Sequence, residues 1–269
     1  MGFFGNFADF GSAIELLLLL LAAVALGHLM LPRLPERHRS RESLDTVRIV
    51  SGIAITFASL VLGLLTASVN NAFSIAENDM TALANSIRQV DTCLQSYGSE
   101  TAPIRSALRA YTAGAIYSTW PEEGTPTGAY PTDQRVGQRF ENLSLGDLLQ
   151  QVRISVGKLP EADPTRRTLA GLCAEDVARL VDNRWKLIGE AHSTVSLPFY
   201  RLLVLMLLTV FATVGLNAPR SPLALLSVAF GAVTITTAVF VVLELDDPLD
   251  GFVKISSASM RNTLATLDR

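Results

Sequence analysis

What this chain has little of narrows its function first. It holds two cysteines and three histidines in 269 residues. His28, His38 and His192 stand far apart, with no ligand partner at a metal-binding spacing. A phosphate-binding glycine loop, a nucleophile elbow and a zinc-peptidase signature are all missing, which leaves enzymatic chemistry without a centre. The chain therefore reads as a non-enzyme. Charge is sparse too: 22 Lys and Arg against 25 Asp and Glu leave a formal net charge of -3, without the basic excess that a nucleic-acid partner requires. No repeat recurs at solenoid spacing. A cleavable signal peptide needs a basic n-region, and the first 30 residues have no Lys or Arg.

What is present in quantity is apolar sequence. Four runs, 16–31, 49–69, 199–216 and 223–245, form two close pairs around a long polar middle. Each approaches the roughly 20 residues a helix needs to cross a hydrocarbon core of about 30 Å. Glu15 is the only charge in the first run once Phe10, Ala13 and Ile14 extend it. The reading is an all-α integral membrane protein with four spans. Its expected divisions are a first transmembrane pair (1–69), an extracytoplasmic four-helix bundle (70–197), a second pair (198–245) and a short tail (246–269).

The basic residues set orientation. Arg33, Arg37, Arg39, Arg41 and Arg48 crowd the first short connection, and Arg220 sits in the second, so both belong in the cytoplasm. The N-terminus, polar middle and C-terminus then lie outside.

Within the middle, Ile75, Leu83, Ile87, Val90 and Leu94 recur at helical spacing, which predicts that the second span continues outward as one long helix. A second helix is expected over 101–117, capped by Thr101 with Pro103 in its first turn. Prolines and glycines over 118–133 make a loop. Asp133 is the expected cap of a third helix reaching about residue 155. Asp163 before Pro164 starts a fourth, through Leu169, Leu172, Val177, Leu180, Val181 and Leu187. Counted from the membrane at 1.5 Å per residue, Cys93 and Cys173 both sit roughly 35–40 Å out, on neighbouring helices. An oxidising compartment permits a disulfide there; two buried free thiols are the alternative.

Three constellations are candidates for function. On the second span, Gly52, Thr56, Ser59, Gly63, Thr66, Asn70 and Ser74 recur at spacings of three and four, making one small and polar stripe beside an apolar face of Ile53, Phe57, Leu60 and Leu64. Such a stripe serves either close helix packing or a water-filled pore lined by copies of this helix. Asn70 and Asn71 favour the pore, since amides in a dry interface are more costly than hydroxyls. Smaller faces on span three (Thr209, Thr213) and span four (Ser227, Gly231, Thr234) read as packing. Arg48 would mark the inner mouth, with Asn71 and Glu77 at the outer one. Finally Glu244, Asp246, Asp247 and Asp250 offer hard oxygen ligands suited to calcium, or simply end a helix in a solvated acidic turn. No other cofactor is indicated.

The run Val61-Leu62-Gly63-Leu64-Leu65-Thr66-Ala67, leading into Ala72 and Glu77, resembles the bestrophin-like domain family of bacterial membrane proteins. So does the tail Leu245-Asp246-Asp247-Pro248-Leu249-Asp250-Gly251-Phe252-Val253-Lys254-Ile255-Ser256. The layout of spans matches over nearly the whole chain. The resemblance implies remote kinship to bestrophins, homopentameric chloride channels whose second-span helices line the pore, and a place in the bacterial inner (plasma) membrane. Two departures stand out: Phe57 alone represents the aromatic neck inside the membrane, with Phe73 just beyond it, and the calcium clasp is reduced to the short acidic cluster.

The expectation is a homo-oligomeric ion channel, a pentamer in the lipid bilayer passing small, chloride-like anions. The alternatives are a non-conducting sensor or scaffold whose outer bundle binds a ligand or partner, and a small-solute transporter. A transporter normally shows broken helices or a midplane charge, and no ionisable residue lies deep in these spans.

Overall fold

The structure, a computed structural model, describes residues 2–33, 35, 41–130, 139–190, 197–219, 221–249 and 252–268. Within them every regular element is a helix: α1 (Gly2–Met30), α2 (Arg41–Tyr97), α3 (Ala102–Thr119), α4 (Leu143–Val156), α5 (Pro164–Glu190), α6 (Leu197–Asn217), α7 (Pro222–Leu245) and α8 (Ala258–Leu267), with short 3-10 turns between some of them. Four of these helices contain stretches long and apolar enough to cross a membrane: Gly11–Met30, Asp45–Tyr97, Pro198–Asn217 and Pro222–Leu245.

Two cores divide the molecule. In the apolar half α1 and α2 each pack against α6 and α7. Leu20 of α1, Leu65 and Val69 of α2, Leu203 and Leu207 of α6 and Ala232 and Val239 of α7 meet there. In the polar half Leu83, Ile87, Val90 and Leu94 of α2 are fully enclosed, against Leu108 and Ile116 of α3, Leu149 and Val152 of α4 and Val177, Leu180 and Leu187 of α5. Each such side chain contributes about 1.5–3 kcal/mol relative to exposure.

One uninterrupted helix, α2, connects both halves and spans 57 residues. At 1.5 Å per residue it is about 85 Å long, far more than a bilayer needs. The expected continuation of span two beyond the membrane as one long helix is therefore present. Ile75 is an exception to its apolar period, since it is 39% exposed. Leu172 departs likewise from the buried face of α5.

Local chemistry explains the other boundaries and corrects two of them. Asp163 accepts a hydrogen bond from the Arg166 backbone N–H at 2.8 Å, capping α5 ahead of Pro164 as its sequence suggests. α4, however, begins ten residues after Asp133: Asn142 is its cap and accepts from the Ser144 backbone N–H at 3.0 Å. Asp133 itself lies outside the described residues. Thr101 does occupy the N-cap position of α3, but its hydroxyl caps nothing there. It donates instead to the carbonyls of Leu94 (2.6 Å) and Gly98 (2.7 Å), which also accept the Gly98 and Thr101 backbone N–H groups (3.3 and 3.2 Å); a carbonyl with two lone pairs takes a second donor, and the hydroxyl so reinforces the end of α2.

Residues 246–269, read from sequence as a tail, carry a further helix. Met260, Thr263, Leu264 and Leu267 of α8 are buried against α2 and α3. The buried Trp120 indole donates to the Ile255 carbonyl at 2.9 Å. Lys254 pairs with Glu122 (2.7 Å) and Arg261 with Glu123 (3.2 Å). The segment after the last span thus returns to the bundle core.

Candidate functional site

The surface of α2 divides into three faces. With about 100° of turn per residue, Ala58, Leu65, Val69, Ala76 and Met80 share one face, and all five are buried against the rest of the chain. Ile53, Phe57, Leu60 and Leu64 share a second, and each is more than half exposed. The third holds Gly52, Thr56, Ser59, Gly63, Thr66, Asn70 and Ser74, all within about 40° of one another's mean direction. Every one of these seven is exposed. Gly52 and Gly63 open onto empty space where a side chain would stand.

Two hydroxyls on this stripe are satisfied within their own helix. Thr56 donates to the Gly52 carbonyl at 3.0 Å and Thr66 to the Leu62 carbonyl at 2.8 Å. Ser51, one step off the stripe, binds across to α6, donating to Thr213 at 2.7 Å. Among the described residues the stripe is thus exposed along its length, and a hydroxyl contact to another helix runs from its flank.

Of the residues expected at the mouths, Arg48 and Glu77 fall at the two ends of the same face. Arg48, exposed, meets Asp45 at 3.5 Å one turn nearer the start of α2. Glu77 continues the stripe at the other end and is exposed, while Asn71 lies to its apolar side. A groove between α2 and α7 opens beside Thr66, walled by Phe230, Val233, Thr234, Thr237 and Val241. A second, near Arg48 and Gly52, is bounded by Thr213, Asn217 and Ser227.

The small faces assigned to packing are mostly not packed within the chain. Thr213 makes its contact with Ser51, but Thr209, Ser227 and Thr234 are exposed and donate to their own helices. Gly231 has open space around it. Sequence alone could not separate packing within a subunit from a face awaiting a neighbour.

Elsewhere the acidic cluster stands apart from the stripe, at the end of α7. Glu244 is buried, and its carboxylate accepts from the Phe252 backbone N–H at 3.0 Å. That bond ties the end of α7 to the segment leading into α8. Asp246 is the C-cap of α7, and Asp250 lies outside the described residues. Among the described residues no three His, Cys, Asp or Glu side chains group as a metal site.

Cys93 and Cys173 form a disulfide between α2 and α5, with their Cα atoms 5.6 Å apart. A feature of the bundle that spacing did not reveal lies further along α5: Arg184 is 5% exposed, donates to the Phe140 carbonyl at 2.5 Å, and stacks on Trp185. Burial pushes the Tyr111 phenol up to about 12, against the pull of Arg184.

Comparison with known proteins places this architecture. Among curated proteins none matches. Among solved structures, a single-residue variant of the bacterial bestrophin homolog from Klebsiella pneumoniae aligns over 95% of this chain and 97% of its own, with 18% identity and a TM-score of 0.61. The same homolog phased on zinc aligns over 94% and 96%, with 16% identity and a TM-score of 0.62. Both likenesses concern the fold. The description of the bestrophin-like domain matches residues 18–260, and the chain belongs to that family.

Proposed function

We propose that this chain assembles as a cyclic homo-oligomer, a pentamer by its kinship, and conducts small ions along a water-filled axis lined by α2, with anions favoured. The carrying observation is the three-way division of α2 inside its membrane span. One face packs on the chain itself. The apolar face of Ile53, Phe57, Leu60 and Leu64 suits a neighbour or lipid. The polar face is a poor fit to lipid, because the Asn70 amide is costly against hydrocarbon and acceptable against water.

A ring also needs two unlike patches that fit one another, since a closed cyclic assembly is built from head-to-tail contacts. The chain offers candidates on α2 and on α7, where Leu223, Leu226 and Phe230 are 69–75% exposed. The arginine-rich connection, together with Arg48, which meets Asp45 at 3.5 Å, would concentrate anions at the inner mouth. The disulfide fits a bundle on the oxidising, outer side of a bacterial inner membrane, and the arginine-rich connection fits the cytoplasmic side.

The test is current carried by purified protein in a planar bilayer under a salt gradient, with oligomer mass measured in parallel. Thr66→Leu or Asn70→Leu should create a hydrophobic constriction that dewets and blocks the current. Leu64→Ile, on the neighbouring face, should leave it unchanged. A folded oligomer without current would overturn the channel and point to the sensor or scaffold.

A further inference from the structure

The polar stripe does not stop where the membrane span does. Beyond Ser74 it runs on through Glu77, Thr81, Asn85, Arg88, Thr92 and Gln95 at steps of three and four, and all six are exposed. The exposed apolar face ends at Ile75. From Asp45 to Gln95 the stripe averages close to 3.6 residues per turn, the period of a straight α-helix, so it follows one side of α2 without winding around it. Because α2 is unbroken over this length, the side that faces an axis within the membrane keeps that heading above it.

Resting on the pore reading above, we infer that the ion path continues outward along α2 through the bundle, and that Arg88 sets the anion preference of this outer vestibule. Arg88 is the cation on the outer stripe. Among the described residues it has no carboxylate partner; its guanidinium is held by Asn85 one turn below. Arg179, across the groove on α5, is by contrast neutralised by Asp176 (2.9 Å) and Glu175 (3.6 Å). Glu77 lies eleven residues nearer the membrane, about 16 Å along the helix. That exceeds the Debye length of about 10 Å at 0.1 M salt, so the two rings act on passing ions one after the other. Copies of Arg88 around the axis raise the local anion concentration, and copies of Glu77 below them oppose it.

Opposite signs on one path make the test sharp. Reversal potentials in a potassium chloride gradient near 0.1 M give the chloride-to-potassium permeability ratio for each variant. Arg88→Gln should lower the ratio and Arg88→Glu lower it further, by about tenfold, the small end of what field focusing supplies. Glu77→Gln should raise it. At about 1 M salt, where screening acts within roughly 3 Å, these differences should collapse. Arg167→Gln serves as control, because Arg167 is exposed on α5 and paired with Glu161 at 2.9 Å. A conducting wild type whose ratio is the same in Arg88→Glu, or shifts equally in Arg167→Gln, overturns the vestibule and leaves the pore intact. A wild type without current overturns the pore and the vestibule together.

Discussion

Gly27 of α1 and Gly215 of α6 bring their helices together backbone to backbone. A Cβ at position 27 would stand 2.1 Å from the Ala212 carbonyl oxygen, and one at 215 would stand 2.2 Å from that of Val24. Helices in a membrane gain little from hydrophobic association, and close backbone approach at small residues supplies the packing instead. Gly27→Val or Gly215→Val should therefore destabilise the transmembrane half by about 1–3 kcal/mol through overpacking. Thermal unfolding in detergent would register it. Gly171→Ala, on α5 with open space around it, should be neutral or stabilising.

The bundle carries its own titration. Burial raises the Tyr111 phenol from 10 to about 12. Between those values the unfolded chain loses its phenolic proton while the folded chain keeps it. Stability is thus complete below pH 10 and falls as pH rises through 12, by about 3 kcal/mol in all. Tyr111→Phe should remove this slope between pH 10 and 12, read against wild type by unfolding monitored with circular dichroism.

Legibility of the fold followed the range of the interactions. The period of Leu83, Ile87, Val90 and Leu94 is local, and so are the cap at Asp163 and the stripe on α2; each could be read from neighbours in sequence. The Gly27 and Gly215 contacts were not legible, because a glycine that touches another backbone looks like any other glycine. The start of α4 was misread for a similar reason, as Asp133 and Asn142 are equally good caps. α8 was missed altogether: ten residues are too few for a strong period, and its burial comes from Thr263 donating to the Ala84 carbonyl at 3.3 Å and from packing on α3. At the site, the stripe was visible as a pattern, but only its exposure in the folded chain removed packing within the subunit from the two readings.

The disulfide joins residues 80 apart. Closing a loop of that length restricts the unfolded chain and stabilises the fold by about 2–4 kcal/mol in the chain-entropy account. Cys93→Ser with Cys173→Ser should lower the melting temperature of the bundle, and a reductant should do the same to wild type only. Equal melting with and without reductant would show the bond to be unimportant for stability.

Orientation is open to a direct assay that leans on neither the disulfide nor conduction. With the native pair replaced by serine, a single cysteine at Thr125, exposed in the loop after α3, should react with an impermeant thiol reagent on intact cells. One at Glu42, exposed in the first turn of α2 beside the arginine-rich connection, should react only after permeabilisation. The reverse pattern would place the bundle in the reducing cytoplasm, where a bond between Cys93 and Cys173 would not persist. It would also exchange the inner and outer assignments of Arg48 and Arg88, so the rings would keep their signs along the axis while the side from which anions are gathered changed.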